Sequence, residues 1–166
     1  MTHFKVVVAG PRACGKTEMV SKLAEFSGKE SIQMECKGST VGMDYTYCDV
    51  EDSRVHFFGT PGSDHLSVVR KSLSKGMNAL ILVVDNSDPE SISKARKIYE
   101  ELVEDEKVPT IVAVNKKNSE EISLKDEIKD VLKVPDTQVV NINAKSGEGI
   151  DTLLLETVKT VRDNHK

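Results

Sequence analysis

The sequence predicts a three-layer α/β fold in which helices cover both faces of a six-stranded, mostly parallel sheet with one antiparallel edge strand. Three observations indicate this class. Continuous apolar runs at 79–84 and 110–114 are typical of strands buried on both faces of a parallel sheet. Segments with helical spacing alternate with the strand-like runs, as in β–α–β units. Two β-rich runs, 45–50 and 54–58, flank the polar break Glu51-Asp52-Ser53, which predicts a hairpin and hence the antiparallel edge.

The remaining elements follow in chain order. An apolar strand begins at Lys5, and the helix after it is indicated by apolar residues at Met19, Val20, Leu23 and Ala24. The six predicted strands are 5–9, 45–50, 54–58, 79–84, 110–114 and 138–142, and the five predicted helices are 18–26, 64–73, 89–104, 120–132 and 150–161. The polar stretch 27–44 shows little periodicity and is predicted to be a long loop, which in a compact domain is usually functional.

Length and charge restrict the function. A chain of 166 residues with 38% hydrophobic and 30% charged residues suits a single domain over 1–166. The net charge of −4 argues against nucleic-acid binding, because a duplex-binding surface normally carries a basic excess.

Three scattered cysteines, without a CxxC pair, indicate neither a disulfide framework nor a zinc site. The sequence shows no leader-like basic and apolar start and no apolar run of membrane-spanning length. It also shows no prenylation or myristoylation motif. We therefore expect a cytoplasmic protein without a lipid anchor.

The segment from Gly10 to Thr17 reads GPRACGKT, which matches GxxxxGK[ST] between an apolar strand and a helix. Glycines allow successive backbone N–H groups to converge on phosphate oxygens, Lys16 supplies a positive charge, and the Thr17 hydroxyl can bind Mg²⁺. A glycine turn that matches by chance is the alternative, but the flanking strand and helix favour a phosphate-binding loop.

With this loop, three further motifs make the chain resemble the small Ras-like GTPases of the P-loop GTPase superfamily, in particular a prokaryotic branch, over 5–161. Ser39-Thr40-Val41-Gly42 is similar to the family's first switch, Asn115-Lys116-Lys117-Asn118 to its NKxD motif, and Asn143-Ala144-Lys145 to its SAK loop. The resemblance implies a domain that binds GTP or GDP with Mg²⁺. Without it, Thr40 would be read as a solvated loop residue and the other two motifs as polar helix caps.

The resemblance also implies roles for individual residues. The implied nucleotide-binding residues are Ala13, Cys14, Gly15, Lys16, Thr17, Glu18, Thr40, Gly62, Asn115, Lys116, Asn118, Asn143, Ala144 and Lys145. Thr17 and Thr40 are the implied metal ligands, and Lys16, Thr40 and Arg12 the candidate catalytic residues. Protein effectors or regulators are expected to bind through 32–45 and 59–72.

Two departures from the family pattern concern the base and the metal. Asn118 stands where the family has an Asp that accepts from two guanine N–H groups, and because an amide offers one acceptor and one donor, guanine selectivity should be weakened in favour of xanthine. Gly59 stands where the family has an acid near the metal, so the site is expected to lack that carboxylate. Asp85 is a rival acid, although the favoured interpretation is that it starts the turn Asn86-Ser87-Asp88-Pro89 and caps the next helix.

Other departures concern hydrolysis and reactivity. Ser63 replaces the Gln that orients the attacking water, which predicts slow hydrolysis, and Asp64 or His65 could substitute for it or simply cap and solvate a helix. Arg12 lies where it could act as a cis arginine finger or point to solvent. Cys14 is interpreted as a small loop residue that the nearby N–H groups and Lys16 could make reactive enough for labelling.

These features favour a nucleotide-dependent switch with slow GTP hydrolysis. A pseudo-GTPase, in which a bound nucleotide is structural and the surface is a binding module, is the alternative that Gly59, Ser63 and Asn118 support. A P-loop kinase for a small molecule gains little support, because the sequence has no evident Arg-rich lid.

Overall fold

The computed structural model describes residues 1–28, 32–35, 42–60, 67–103, 108–116, 128 and 138–165. Within these ranges the chain forms seven strands and four helices. The strands are β1 (Thr2–Ala9), β2 (Ile32–Glu35), β3 (Gly42–Val50), β4 (Ser53–Gly59), β5 (Ala79–Asp85), β6 (Thr110–Asn115) and β7 (Gln138–Ile142). The helices are α1 (Lys16–Phe26), α2 (Ser67–Ser74), α3 (Glu90–Val103) and α4 (Ile150–His165).

The strands form one sheet in the order β2-β3-β4-β1-β5-β6-β7. The pairings from β4 to β7 are parallel, whereas β3 runs antiparallel to β4 and β2 antiparallel to β3. The parallel strands therefore direct their carboxyl ends to one edge of the sheet, where ligands bind in open α/β folds.

Two apolar cores cover the two faces of the sheet. Alternate residues of β1 separate between them, because Val6 and Val8 join the core under α1 and α4 whereas Val7 and Ala9 join the core under α3. Every residue of β5 and of β6 is buried, as the continuous apolar runs predict for strands covered on both faces. The predicted three-layer α/β class is confirmed.

The sheet contains one strand more than the six expected, since β2 lies inside the stretch predicted to be a loop. Its sequence, Ile32-Gln33-Met34-Glu35, alternates apolar and polar residues but is too short to stand out from its polar surroundings. Of the predicted helix 120–132, only Ile128 lies within the described residues, and it is buried in the α3-side core.

The predicted hairpin forms between β3 and β4 through the two residues Glu51 and Asp52. Val50 pairs with Ser53, and counting outward along both strands pairs Asp44 with Gly59. The turn thus determines which side chains face each other at the other end of the hairpin, next to the phosphate-binding loop.

Candidate functional site

The phosphate-binding loop joins β1 to α1 at the carboxyl edge of the sheet. Gly15, with φ of 102°, is the N-cap residue of α1, and the helix begins at Lys16 without a side-chain cap. The first amides of a helix have no partners within it, and the helix dipole favours an anion there. The loop thus joins a strand to an uncapped helix start, the setting in which a phosphate site is predicted.

Lys16 lies folded back over this loop. Its Nζ donates to the carbonyl oxygens of Gly10 at 2.7 Å and Pro11 at 2.8 Å, and the residue is only 8% exposed. Burial lowers the pKa of Lys16. The nearby Cys14 and Asp44 oppose that shift, whereas Arg70 lowers the pKa further. The two carbonyls therefore hold the ammonium group within the loop that would surround a phosphate.

Asn115, the last residue of β6, ties the phosphate-binding loop to the loop after β7. Its Nδ2 donates to the Cys14 carbonyl at 3.0 Å, and its Oδ1 accepts from the Ala144 N–H at 3.0 Å. Both partners are buried main-chain groups, so the orientation of the amide is determined by its hydrogen bonds. The NKxD-like and SAK-like motifs meet here, at the end of the phosphate-binding loop.

The loop after β7 is ordered mainly by its own side chains. Asn143 Oδ1 accepts from the N–H groups of Lys145 and Ser146, each at 3.1 Å, and the Asn143 N–H donates to the Glu148 carbonyl. These hydrogen bonds close a turn before α4, which begins at Ile150, so Asn143 does not cap that helix. Lys116 is half-buried and Lys145 is exposed.

A cleft of about 650 Å³ opens between these loops. Its lining residues are Ala13, Gly15, Lys16, Thr17, Glu18, Asn115, Asn143 and Lys145. All of them belong to the predicted nucleotide-binding set, whose other described members, Cys14, Lys116 and Ala144, are connected to this region by main-chain hydrogen bonds.

Thr17 faces a carboxylate that the sequence analysis did not single out. Its Oγ1 donates to Asp44 Oδ2 at 2.7 Å, and Asp44 is 8% exposed. Asp44 belongs to β3, although it lies at the end of the stretch 27–44 that was expected to be a loop. The hairpin register was the signal that could have found it, because counting outward from the turn places residue 44 opposite residue 59.

A hydroxyl and a carboxylate in contact are oxygen donors of the kind that Mg²⁺ prefers. Among the described residues, no cluster of three or more His, Cys, Asp or Glu could hold a metal by itself. The Thr17 hydroxyl, with Asp44 beside it, thus fits a magnesium ion whose remaining ligands would be phosphate and water oxygens, which is how this ion is usually held.

Two interpretations of side chains near the site are decided by their contacts. Asp85 Oδ1 accepts from the Ser87 N–H at 2.9 Å and the Ser87 hydroxyl at 2.7 Å, so Asp85 starts the turn as expected. The N–H of Glu90, the first residue of α3, donates instead to Asp88 Oδ1 at 3.1 Å. Cys14 is 1% exposed, and burial raises the pKa of its thiol. The suggestion that Cys14 is a labelling candidate was therefore wrong, because burial outweighs the charge of Lys16.

The structure leaves Arg12 exposed, next to Ala13, whose φ of 64° is unusual for a residue other than glycine. The predictions for Thr40, Gly62, Ser63, Asp64, His65 and Asn118 fall outside the described residues. Within the part of the chain that is described, no helix is both long enough and apolar enough to cross a bilayer.

Comparison with known proteins places this geometry in context. A sequence model of the Ras family matches residues 5–163. The uncharacterized protein MJ1339 of Methanocaldococcus jannaschii is 35% identical over 114 residues, which cover 69% of this chain and 70% of that protein.

Two longer translation factors are also similar. The selenocysteine-specific elongation factor of Methanocaldococcus jannaschii is 25% identical over an alignment of 184 residues, and translation initiation factor IF-2 of Kosmotoga olearia is 30% identical over 161 residues. The alignments cover 98% and 90% of this chain but only 38% and 22% of those proteins. The similarity thus spans well under half of either factor.

Proposed function

This chain belongs to the Ras family, and from that premise we propose that it is a cytoplasmic molecular switch that binds GTP and GDP with Mg²⁺ and hydrolyses GTP slowly. The observation that carries the proposal is the cleft in which Lys16, the start of α1 and the Asn115 bridge come together. Each of these features serves a phosphate chain or the base next to it.

Different residues of this chain would bind the phosphates, position the loops beside the base and bind the metal. Lys16 and the first amides of α1 bind the β- and γ-phosphates, and Asn115 keeps the two loops that border the base at a fixed separation. Thr17 contributes a hydroxyl to the metal, and Thr40 and Gly62 are proposed to contact the γ-phosphate from the two switch segments. When bound, Mg²⁺ neutralises charge on the β- and γ-phosphate oxygens.

Slow hydrolysis is proposed because Ser63 stands where the family has the Gln that orients water. Single-turnover measurement of phosphate release from protein preloaded with GTP tests this point. A rate above the spontaneous background supports the switch. No release above background, with nucleotide tightly bound, would instead support the pseudo-GTPase scaffold.

A role of Arg12 as a cis arginine finger is also proposed, and the structure leaves its side chain exposed. Arg12→Ala should lower the single-turnover rate without lowering nucleotide affinity if the guanidinium acts as a cis arginine finger. An unchanged rate would reject that role.

Reduced guanine selectivity is the second specific proposal. Asn118 offers guanine an amide in place of a carboxylate, and the Ala144 N–H, which the family resemblance assigns to guanine O6, already donates to Asn115. A buried mismatch costs about 1 to 3 kcal/mol, or roughly 5- to 150-fold in affinity. Competition among GDP, XDP and ADP measures the effect, and ADP binding as well as GDP would overturn the assignment of the base.

We also propose that regulators or effectors bind through 32–45 and 59–72. The described parts of these segments are β2, the first residues of β3, the end of β4 and the start of α2. Because β2 is the edge of the sheet, its outer backbone is a surface on which a partner strand could pair.

A further inference from the structure

Position 59 is occupied by a glycine, but the space beside it is filled by an acid from the neighbouring strand. Asp44 of β3 pairs directly with Gly59 of β4. A Cβ added at Gly59 would lie 3.3 Å from Asp44 Cβ and 3.5 Å from Asp44 Oδ2. The Asp44 side chain therefore lies in the volume that a side chain at position 59 would need.

The hydrogen bond between Thr17 and Asp44 has a consequence for metal binding. The Thr17 hydroxyl donates a hydrogen bond to Asp44 Oδ2 at 2.7 Å, so its oxygen lone pairs remain available in other directions. A hydroxyl that binds a cation must present a lone pair to it and direct its proton elsewhere. A carboxylate that accepts a hydrogen bond from this hydroxyl orients it and raises the electron density on its oxygen.

We propose that Asp44 is the acid of the magnesium side of the site, supplied from β3 in place of the acid that Gly59 cannot provide. It orients the Thr17 hydroxyl and places a negative charge beside the bound cation. The inference rests on the proposed function, since it assumes that a nucleotide and Mg²⁺ bind at this loop.

Two other aspartates have partners of their own. Asp85 caps the turn after β5 through Ser87. Asp49, on the same strand as Asp44, is paired with Arg54, with the Arg54 Nε 2.7 Å from Asp49 Oδ1. Asp49 thus provides a matched control, because the same change can be made on β3 away from the phosphate-binding loop.

The test measures how strongly Mg²⁺ enhances GDP binding. The affinity for GDP is determined by calorimetry with excess Mg²⁺ and again with EDTA, for the wild type, Asp44→Asn and Asp49→Asn. In Asp44→Asn the ratio of the two affinities should fall by about 10- to 100-fold, the usual effect of removing a group that supports a metal ligand. The affinity in EDTA should stay close to that of the wild type, and Asp49→Asn should keep the wild-type ratio.

An exchange variant, Asp44→Gly with Gly59→Asp, returns the acid to the adjacent strand. It should recover the enhancement by Mg²⁺ that Asp44→Asn loses, and it also decides the matter if Asp44→Asn does not fold. Exchange protein that folds and binds GDP without that enhancement would count against the proposal.

The outcomes separate the inference from the function on which it rests. Wild-type protein that binds no GDP in either buffer overturns the proposed function. Wild type and Asp44→Asn with the same enhancement by Mg²⁺ overturn the role of Asp44 alone and leave nucleotide binding intact.

Discussion

At the scale of single residues, Gly15 is required for two separate reasons. Its φ of 102° is strained for any residue with a Cβ, and an added Cβ would collide with the Nδ2 of Asn115. The same backbone conformation that starts α1 therefore also makes room for the amide that bridges the two loops.

Gly15→Ala should destabilise the protein by about 2 to 4 kcal/mol, because backbone strain adds to the loss of a buried hydrogen bond. It should also weaken GDP binding. Gly28→Ala is the matched control, since Gly28 has φ of 70° but nothing within 4 Å of an added Cβ, and it should cost only about 1 kcal/mol. Urea denaturation measures both, and equal costs would show that the contact with Asn115 does not matter.

At the scale of elements, β3 has a buried polar side chain whose hydroxyl makes no hydrogen bond with the described residues. Thr46 is 1% exposed, and its Oγ1 has no hydrogen-bond partner among the described residues. Thr157 on α4 is equally buried, but its hydroxyl donates to the Leu153 carbonyl at 2.7 Å. Burial of the Thr157 hydroxyl is compensated by its hydrogen bond, whereas burial of the Thr46 hydroxyl is not compensated by any described residue.

Thr46→Val should stabilise the protein by about 1 kcal/mol, because it replaces an uncompensated hydroxyl with a methyl group of similar size. Thr157→Val removes a satisfied hydrogen bond and should be neutral or destabilising. Thermal unfolding of the two variants beside the wild type compares them. A lower melting temperature for Thr46→Val would show that its hydroxyl is hydrated or bonded in solution.

An ion pair between α2 and α3 is a second feature at the scale of elements. Arg70 is 2% exposed and donates to Glu101 of α3 through Nε at 3.2 Å and Nη2 at 3.0 Å. Removing one partner of a buried ion pair leaves an uncompensated charge. The pair therefore holds α2 against α3.

At the scale of the whole molecule, the sequence predicted the fold well because its signals are strong and local. Buried strands such as β5 and β6 are recognisable from continuous apolar runs, and the phosphate-binding loop is recognisable from its glycines, lysine and threonine. Short elements such as β2 give a weaker pattern, since they are stabilised by pairing with a neighbour.

The site was predicted less completely, because some of its contacts cross between strands. Asn115 was found from a motif, but its two main-chain partners at Cys14 and Ala144 follow from how β1, β6 and β7 are arranged. Asp44 carries no motif, and its position beside Thr17 depends on the register of the β3–β4 hairpin. A motif identifies functional residues within one segment of the chain, whereas strand register determines which residues of different segments lie together.

Strands β3, β4 and β1 also carry a row of contacting Tyr and His rings, and this row links the stability of the protein to pH. Tyr45 on β3 contacts His56 on β4 at 2.7 Å from Oη to Nδ1, and His56 Nε2 lies 2.9 Å from Nδ1 of His3 on β1. Burial lowers the pKa of His56, and His3 and then Arg54 lower it further, against an opposing effect of Asp49. The folded protein thus resists protonation of this ring.

Because the pKa of His56 is lower in the folded than in the unfolded chain, its effect on stability appears only on acidification. Above the ordinary value of 6.5 both states are neutral, and as the pH falls through that value the unfolded chain takes up a proton that the folded chain resists. The free energy of unfolding should therefore decrease between about pH 7.5 and 5.5, and His56→Gln should lose less of it over that interval than the wild type. Urea denaturation at the two pH values measures the difference, with His165→Gln, at the exposed end of α4, as the control that should follow the wild type. An equal loss in His56→Gln and wild type would mean that the ring is free to protonate in the folded state.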